Sequence, residues 1–141
     1  MINDGLKLKG KLAISLNGKI VQEVDNLVVT AGKGYVASRI KDASATAMSH
    51  MAIGSGSTAA AASDTALGSQ LGRVALTSTT VSNAVVTYVA SFPAGTGTGA
   101  VTEAGILNAS SGGTLLCRTV FSVVNKGASD SMTVTWTVTV S

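Results

Sequence analysis

A chain of 141 residues with net charge +3, 12% charged and 4% aromatic side chains, and a preponderance of Ala, Gly, Ser, Thr and Val is long enough to bury a two-layer core in one domain. That composition excludes a disordered chain, which would be charged and poor in β-branched residues, and it excludes a helical bundle. A single cysteine, Cys117, excludes an internal disulfide and a multi-cysteine metal site, and no apolar run approaches the roughly 18 residues of a membrane span.

The charge is unevenly placed: residues 1–42 carry seven basic and four acidic side chains, residues 43–141 three of each. A surface so poor in charge suits a protein packed against others. The start of the chain puts Asp4, Lys7 and Lys9 where a secretory signal needs its apolar segment, so synthesis in a cytoplasm is expected.

Leu6, Leu8, Leu12, Ile14 and Leu16 share one parity and Lys7, Lys9 and Lys11 the other, which predicts a strand with an apolar and a lysine-studded face. Asn17-Gly18 predicts a type I′ hairpin turn, and the return strand runs from 19 to about 30 with Asn26 as an irregularity. Tyr35, Val36, Arg39 and Ile40 have helical spacing, predicting one short helix over 33–42. Gly32-Lys-Gly34-Tyr-Val-Ala37 matches a loose G-x-G-x-x-A. A dinucleotide site would need a parallel strand and an acidic residue about 20 positions on; an Ala/Ser-rich stretch stands there instead, so the motif reads as a turn between strand and helix.

A short strand is expected over 49–54, then a low-complexity loop over 55–64, with Ser63 or Asp64 capping a helical turn through Leu67. Strands follow over 71–79 and 85–92, joined around Ser82-Asn83. A glycine-rich flexible loop over 94–100 leads to strands over 100–108 and 114–125, with a turn at 110–113. After a turn at 126–130 the chain closes on its clearest pattern. Met132, Val134, Trp136, Val138 and Val140 fall on one parity and Thr133, Thr135, Thr137 and Thr139 on the other. Burying five such apolar side chains is worth roughly 1.5–3 kcal/mol each as an upper bound. The whole predicts an all-β fold: one domain over 1–141, about eight antiparallel strands in a sandwich of jelly-roll type, with one short helix.

Chemistry is sparse. His50 is the only histidine and sits among Met48, Met51 and Ile53; no G-x-S-x-G elbow is present, and Gly54-Ser55-Gly56-Ser57 reads as loop. One histidine, one cysteine and scattered carboxylates do not make a zinc site. Cys117 reads as an inert, half-buried side chain. Glu103 and Asp64 could form a carboxylate pair, but nothing in the sequence joins them. The reading is therefore no enzyme, no cofactor and no metal. The alternating lysines read as a solvated or edge-guarding face, without nucleic acid or membrane as partner.

Two stretches carry a resemblance. Met51-Ala-Ile-Gly-Ser-Gly-Ser-Thr58, followed by Ser63-Asp-Thr-Ala-Leu-Gly68, resembles the A-I-G-x-G-x-T…D-T-x-L segment of small tailed-phage virion proteins, tail-collar-like ones among them. Val101-Thr-Glu-Ala-Gly-Ile-Leu-Asn108, then Gly113-Thr-Leu-Leu-Cys-Arg-Thr-Val-Phe121 and the Thr/Val tail, is similar to the second half of that group. The likeness covers about 30–141, and the chain as a whole resembles the small cement (decoration) proteins of short-tailed phage heads. That resemblance implies a jelly-roll sandwich, a homodimer, and attachment to the outer capsid surface of the virion with the major capsid protein as partner. Candidate contact residues are Lys7, Lys9 and Lys11 on the first strand, Ser57 and Thr58 in one loop, and Thr96 and Thr98 in another. A tail-collar or fibre-attachment module is the alternative; a stand-alone carbohydrate-binding module is the rival from another class, disfavoured by the shortage of aromatics.

Overall fold

The computed structural model describes residues 6–41 and 45–141. The charged start up to Gly5 and the expected last helical residue, Asp42, lie outside the described residues. The closing Thr/Val alternation forms β9 (Met132–Val140), between β1 (Leu8–Leu16) and β6 (Val85–Phe92). Trp136 stands opposite Leu12 on one side and Tyr88 on the other. Met132, Val134, Trp136 and Val138 are buried, as the period of two requires.

The remaining elements are β2 (Lys19–Val28), α1 (Thr30–Lys41), β3 (His50–Gly54), β4 (Gln70–Ala75), β5 (Ser78–Ser82), β7 (Gly99–Leu107) and β8 (Leu115–Lys126). The strands form one antiparallel sheet in the order β4-β3-β7-β8-β2-β1-β9-β6-β5. The sheet is curled, and β2 is its corner: Lys19 to Asn26 pair with β1, whereas Leu27 and Val28 pair with β8. The irregularity expected at Asn26 is this change of partner. The Asn26 amide lies where a Cβ on Gly10 would stand, and it has no hydrogen-bond partner among the described residues.

Curling brings the two limbs over one core. Leu12, Ile14, Phe92 and Trp136 of one limb share a cluster with Met51, Ile53, Ile106 and Phe121 of the other. The hairpin expected at Asn17-Gly18 is present, with φ of 51° and 84°, the left-handed pair a type I′ turn needs.

Three expectations are corrected. There are nine strands among the described residues rather than about eight, because the stretch read as one strand over 71–79 is two. β4 pairs with β3 in one limb and β5 with β6 in the other, so the chain must cross between limbs at Leu76-Thr77. The Leu76 N–H donates to the Ser49 carbonyl and the Thr77 N–H to that of Val89. The Gly32-Lys-Gly34 segment is not a turn before the helix but lies inside it, since α1 starts at Thr30. A Cβ on Gly32 would collide with the Leu116 backbone, so that glycine lets α1 press directly on β8. No helical turn forms through Leu67; Asp64 accepts from the Ala61 N–H and turns to Arg118 instead.

Candidate functional site

The candidate contact residues do not form one site. Lys7, just before β1, and Lys9, on it, are exposed and line, with Lys33 of α1, a hollow beside β1 and the helix. Lys11 lies further along β1, 4.0 Å from Glu23. Ser57 and Thr58 are exposed in the connection between β3 and β4, and the Thr58 carbonyl accepts from Arg118 Nη2 at 3.0 Å. Thr96 and Thr98 lie in the connection between β6 and β7. There the Thr96 N–H donates to the Pro93 carbonyl, and Gly97, at φ 70°, is buried against Ile53.

Sequence reasoning missed the most ordered polar assembly, a buried ion-pair network across the outer face of β7 and β8. Glu103 is fully buried and Arg118 nearly so. Glu103 Oε2 accepts from the backbone N–H groups of Gly56 at 2.6 Å and Ser69 at 2.7 Å. Its Oε1 accepts from the Gly68 N–H at 2.8 Å and from Arg118 Nε and Nη2 at 3.0 and 2.9 Å. Arg118 Nη1 reaches Asp64 Oδ2 at 2.9 Å. Burial alone would raise the Glu103 carboxyl, but the three backbone donors and Arg118 outweigh it and hold the group below its ordinary range. Asp64 is likewise lowered, first by the Ala61 N–H and then by Arg118 against some desolvation.

The network fastens residues 55–69 across the sheet. Leu67 packs on a second cluster of Val29, Ala52, Leu107 and Leu115, and the Ala62 carbonyl accepts from the Thr30 N–H at the start of α1. The low-complexity stretch is thus a pinned strap. One sequence signal pointed to it: Glu103 is the one charged residue of β7, and Arg118 sits in an apolar and hydroxylic run of β8 whose only other charge is its last residue, Lys126. A charge there needs a buried partner.

The other charges of 43–141 are engaged in the same way. Arg73 donates to the carbonyls of Ala109 and Gly112 and to Gln70 Oε1. Lys126, 1% exposed, donates from Nζ to the carbonyls of Pro93 and Asp130. The Asp130 carboxylate accepts from Asn17 Nδ2 and the Gly127 N–H. All six charged side chains of this segment are internal fasteners.

The second feature is apolar. Between α1 and the β5–β6 edge lies an open groove of about 430 Å³, walled by Leu8, Val36, Tyr88, Leu116 and Val138. It shares Leu8, Val36, Ile40 and Val140 with the lysine-lined hollow beside β1. Ile40 and Val81 at its rim are 76% and 70% exposed. The groove exists because the curled sheet does not close: β5 ends the strand order.

Reactive groups are subdued. Burial drives the Cys117 thiol far up from its ordinary value, so it stays protonated. Desolvation raises Tyr88 to about 12, with help from Tyr35 and Cys117. His50 Nδ1 lies 2.7 Å from Ser49 Oγ, and no group of three or more His, Cys, Asp or Glu that could hold a metal occurs among the described residues. The arrangement can fasten, bury and pair.

Compared with protein-family models, with curated proteins and with solved structures, the chain matches none.

Proposed function

We propose that the chain is a non-enzymatic structural protein of a bacteriophage virion. In this reading it is a capsid cement, or decoration, protein that binds the outer head surface and clamps neighbouring major capsid subunits against internal DNA pressure. The observation that carries the reading is the use of charge. Segment 43–141 spends all its ionic groups on holding its own strap and loops, so its surface is mostly hydroxyl, methyl and backbone. A stiff body of that kind suits many modest contacts made at once, multiplied by effective concentration. The resemblance supports it at the residue level, because Gly54, Gly56, Asp64, Leu67, Gly68, Glu103 and Arg118 of the quoted motifs are the members of one fastened unit.

On this reading the curled sheet is a variant of the jelly-roll sandwich, the working form is a homodimer, and the protein is made in the host cytoplasm and resides on the capsid. The tail-collar or fibre-attachment reading shares the A-I-G-x-G-x-T motif and remains the second choice. Purified protein is mixed with heads stripped of it and, separately, with isolated tails. Saturable binding to heads, with a rise in their thermal or osmotic stability, is expected. Binding to tails alone moves the protein to the collar and refutes the head reading.

A further inference from the structure

The two edges of the sheet are treated differently. β4 carries Arg73, its pairing with β3 is interrupted by a bulge at Ile53/Gly54, and the 93–98 connection lies against it where Gly72 meets Gly97. These are the usual guards of an edge. β5, Ser78-Thr-Thr-Val-Ser82, has no charge, no proline and no bulge in its pairing with β6, and every residue is exposed. Its Thr79 and Val81 stand opposite Tyr88 and Val86, on the face that looks into the groove. An unguarded strand edge therefore borders an apolar groove of about 430 Å³.

We infer that β5 and the groove beneath it form a strand-acceptor site for an extended segment of another protein, which adds to the sheet as a tenth strand. Backbone hydrogen bonds to β5 supply register, and alternate side chains of the incoming strand descend into the groove. The size of the groove selects large apolar side chains. A volume of about 430 Å³ is room for about a dozen waters. A second copy pairing through its own β5 would offer only the short side chains of Thr79 and Val81. The charge selects the flank: Lys7, Lys9 and Lys33 border the continuation of the groove past Leu8 and Val140, and among the described residues no acidic side chain lines either part. The occupant is an alternating apolar strand with acidic residues beside it. This assignment stands on the groove alone and holds whether or not the chain works on a phage head.

The test uses the full chain and two synthetic peptides with Leu, Ile and Leu at alternate positions, Thr between them, and an Asp-Asp pair at one end or the other. The controls are the same compositions with the apolar residues made contiguous. Binding is read by fluorescence anisotropy, and the contact by amide hydrogen exchange at residues 78–82. One alternating peptide is expected to bind, to slow exchange across β5, and to weaken at least about tenfold in Val81→Glu. It should also weaken in Lys9→Glu and Lys33→Glu, in a salt-dependent manner. All three are exposed positions, and a thermal melt checks that the variants fold. Equal binding of the contiguous controls, no protection of β5, or no binding of either peptide overturns the site. A self-associated chain that Val81→Glu dissociates assigns the edge to a second copy and likewise overturns it. None of these failures touches the head-binding experiment, which has its own readout.

Discussion

Replacing Arg118 with methionine keeps the length of the side chain and removes the charge at the centre of the strap. The wild-type guanidinium donates to Glu103, Asp64 and the Thr58 carbonyl. Its loss leaves the Glu103 carboxylate fully buried with three backbone donors but no counter-charge. Breaking a buried pair from one side costs about 3–5 kcal/mol. The three N–H groups that stay on Glu103, and the partial exposure of Asp64, place this site at the lower end, about 3 kcal/mol. At this chain length each kcal/mol moves Tm by about 3–4 °C, so Arg118→Met should melt about 10 °C below wild type by calorimetry. Limited proteolysis should cut first within 55–69, since Thr58 and Asp64 lose their anchor. Arg118→Lys should recover little, because one ammonium cannot span three partners that a planar fork reaches. A loss under about 1 kcal/mol, the value of a solvated surface pair, with an uncut strap would refute the reasoning.

The same network sets an acid limb. The folded Glu103 carboxyl is held below its unfolded value, so its contribution is fully present above the unfolded pKa and is lost as pH falls through the folded one; urea midpoints against pH should lose part of that slope in Glu103→Gln. Two glycines of the chain should respond in opposite directions to alanine. A Cβ at Gly56 meets a Glu103 carboxylate already clamped by its donors, so Gly56→Ala should cost about 1–3 kcal/mol. Gly34 sits in α1 with nothing within 4 Å of an added Cβ, so Gly34→Ala should gain about 0.5–1 kcal/mol, both read from urea midpoints. Cys117, buried and protonated, should react with a chromogenic disulfide reagent only at the rate of opening of the core, and fully in denaturant.

What could be read from the sequence was what periodicity encodes. The β9 alternation, the lysine and leucine parities of β1 and the Asn17-Gly18 turn are local, and each is set by a few adjacent residues. The split of 71–79 was not legible, because Leu71 to Thr79 is uniformly compatible with a strand. What breaks it is the need to pass between limbs at Leu76-Thr77. α1 was half legible: its later turns carry Tyr35 and Val36 at helical spacing. Its first turn was masked by Gly32, whose service is to the distant Leu116 backbone. The strap was illegible for the same reason. Gly56, Asp64, Gly68, Glu103 and Arg118 meet over separations of 15 to 54 residues, and no local rule links a carboxylate in one strand to amides in a loop.

The distribution of charge ties these parts together. A chain that buries Glu103, Arg118 and Lys126 accepts their desolvation in return for fixing loops that composition alone would leave loose. Three backbone amides on one carboxylate and two carbonyls on one ammonium turn Gly- and Ser-rich connections into rigid covers. Rigidity obtained in that way engages the ionic groups of residues 45–141 within the fold and leaves a positive flank on β1 and α1, with Lys7, Lys9 and Lys33, as one place where charge can steer a partner. The open apolar groove and the bare β5 edge lie beside that flank. On the strand-acceptor proposal, recognition is therefore biased to one end of the sheet, where an open strand edge, an apolar groove and positive charge coincide. At the opposite end, Lys126 and Asp130 have their polar groups committed to holding the fold.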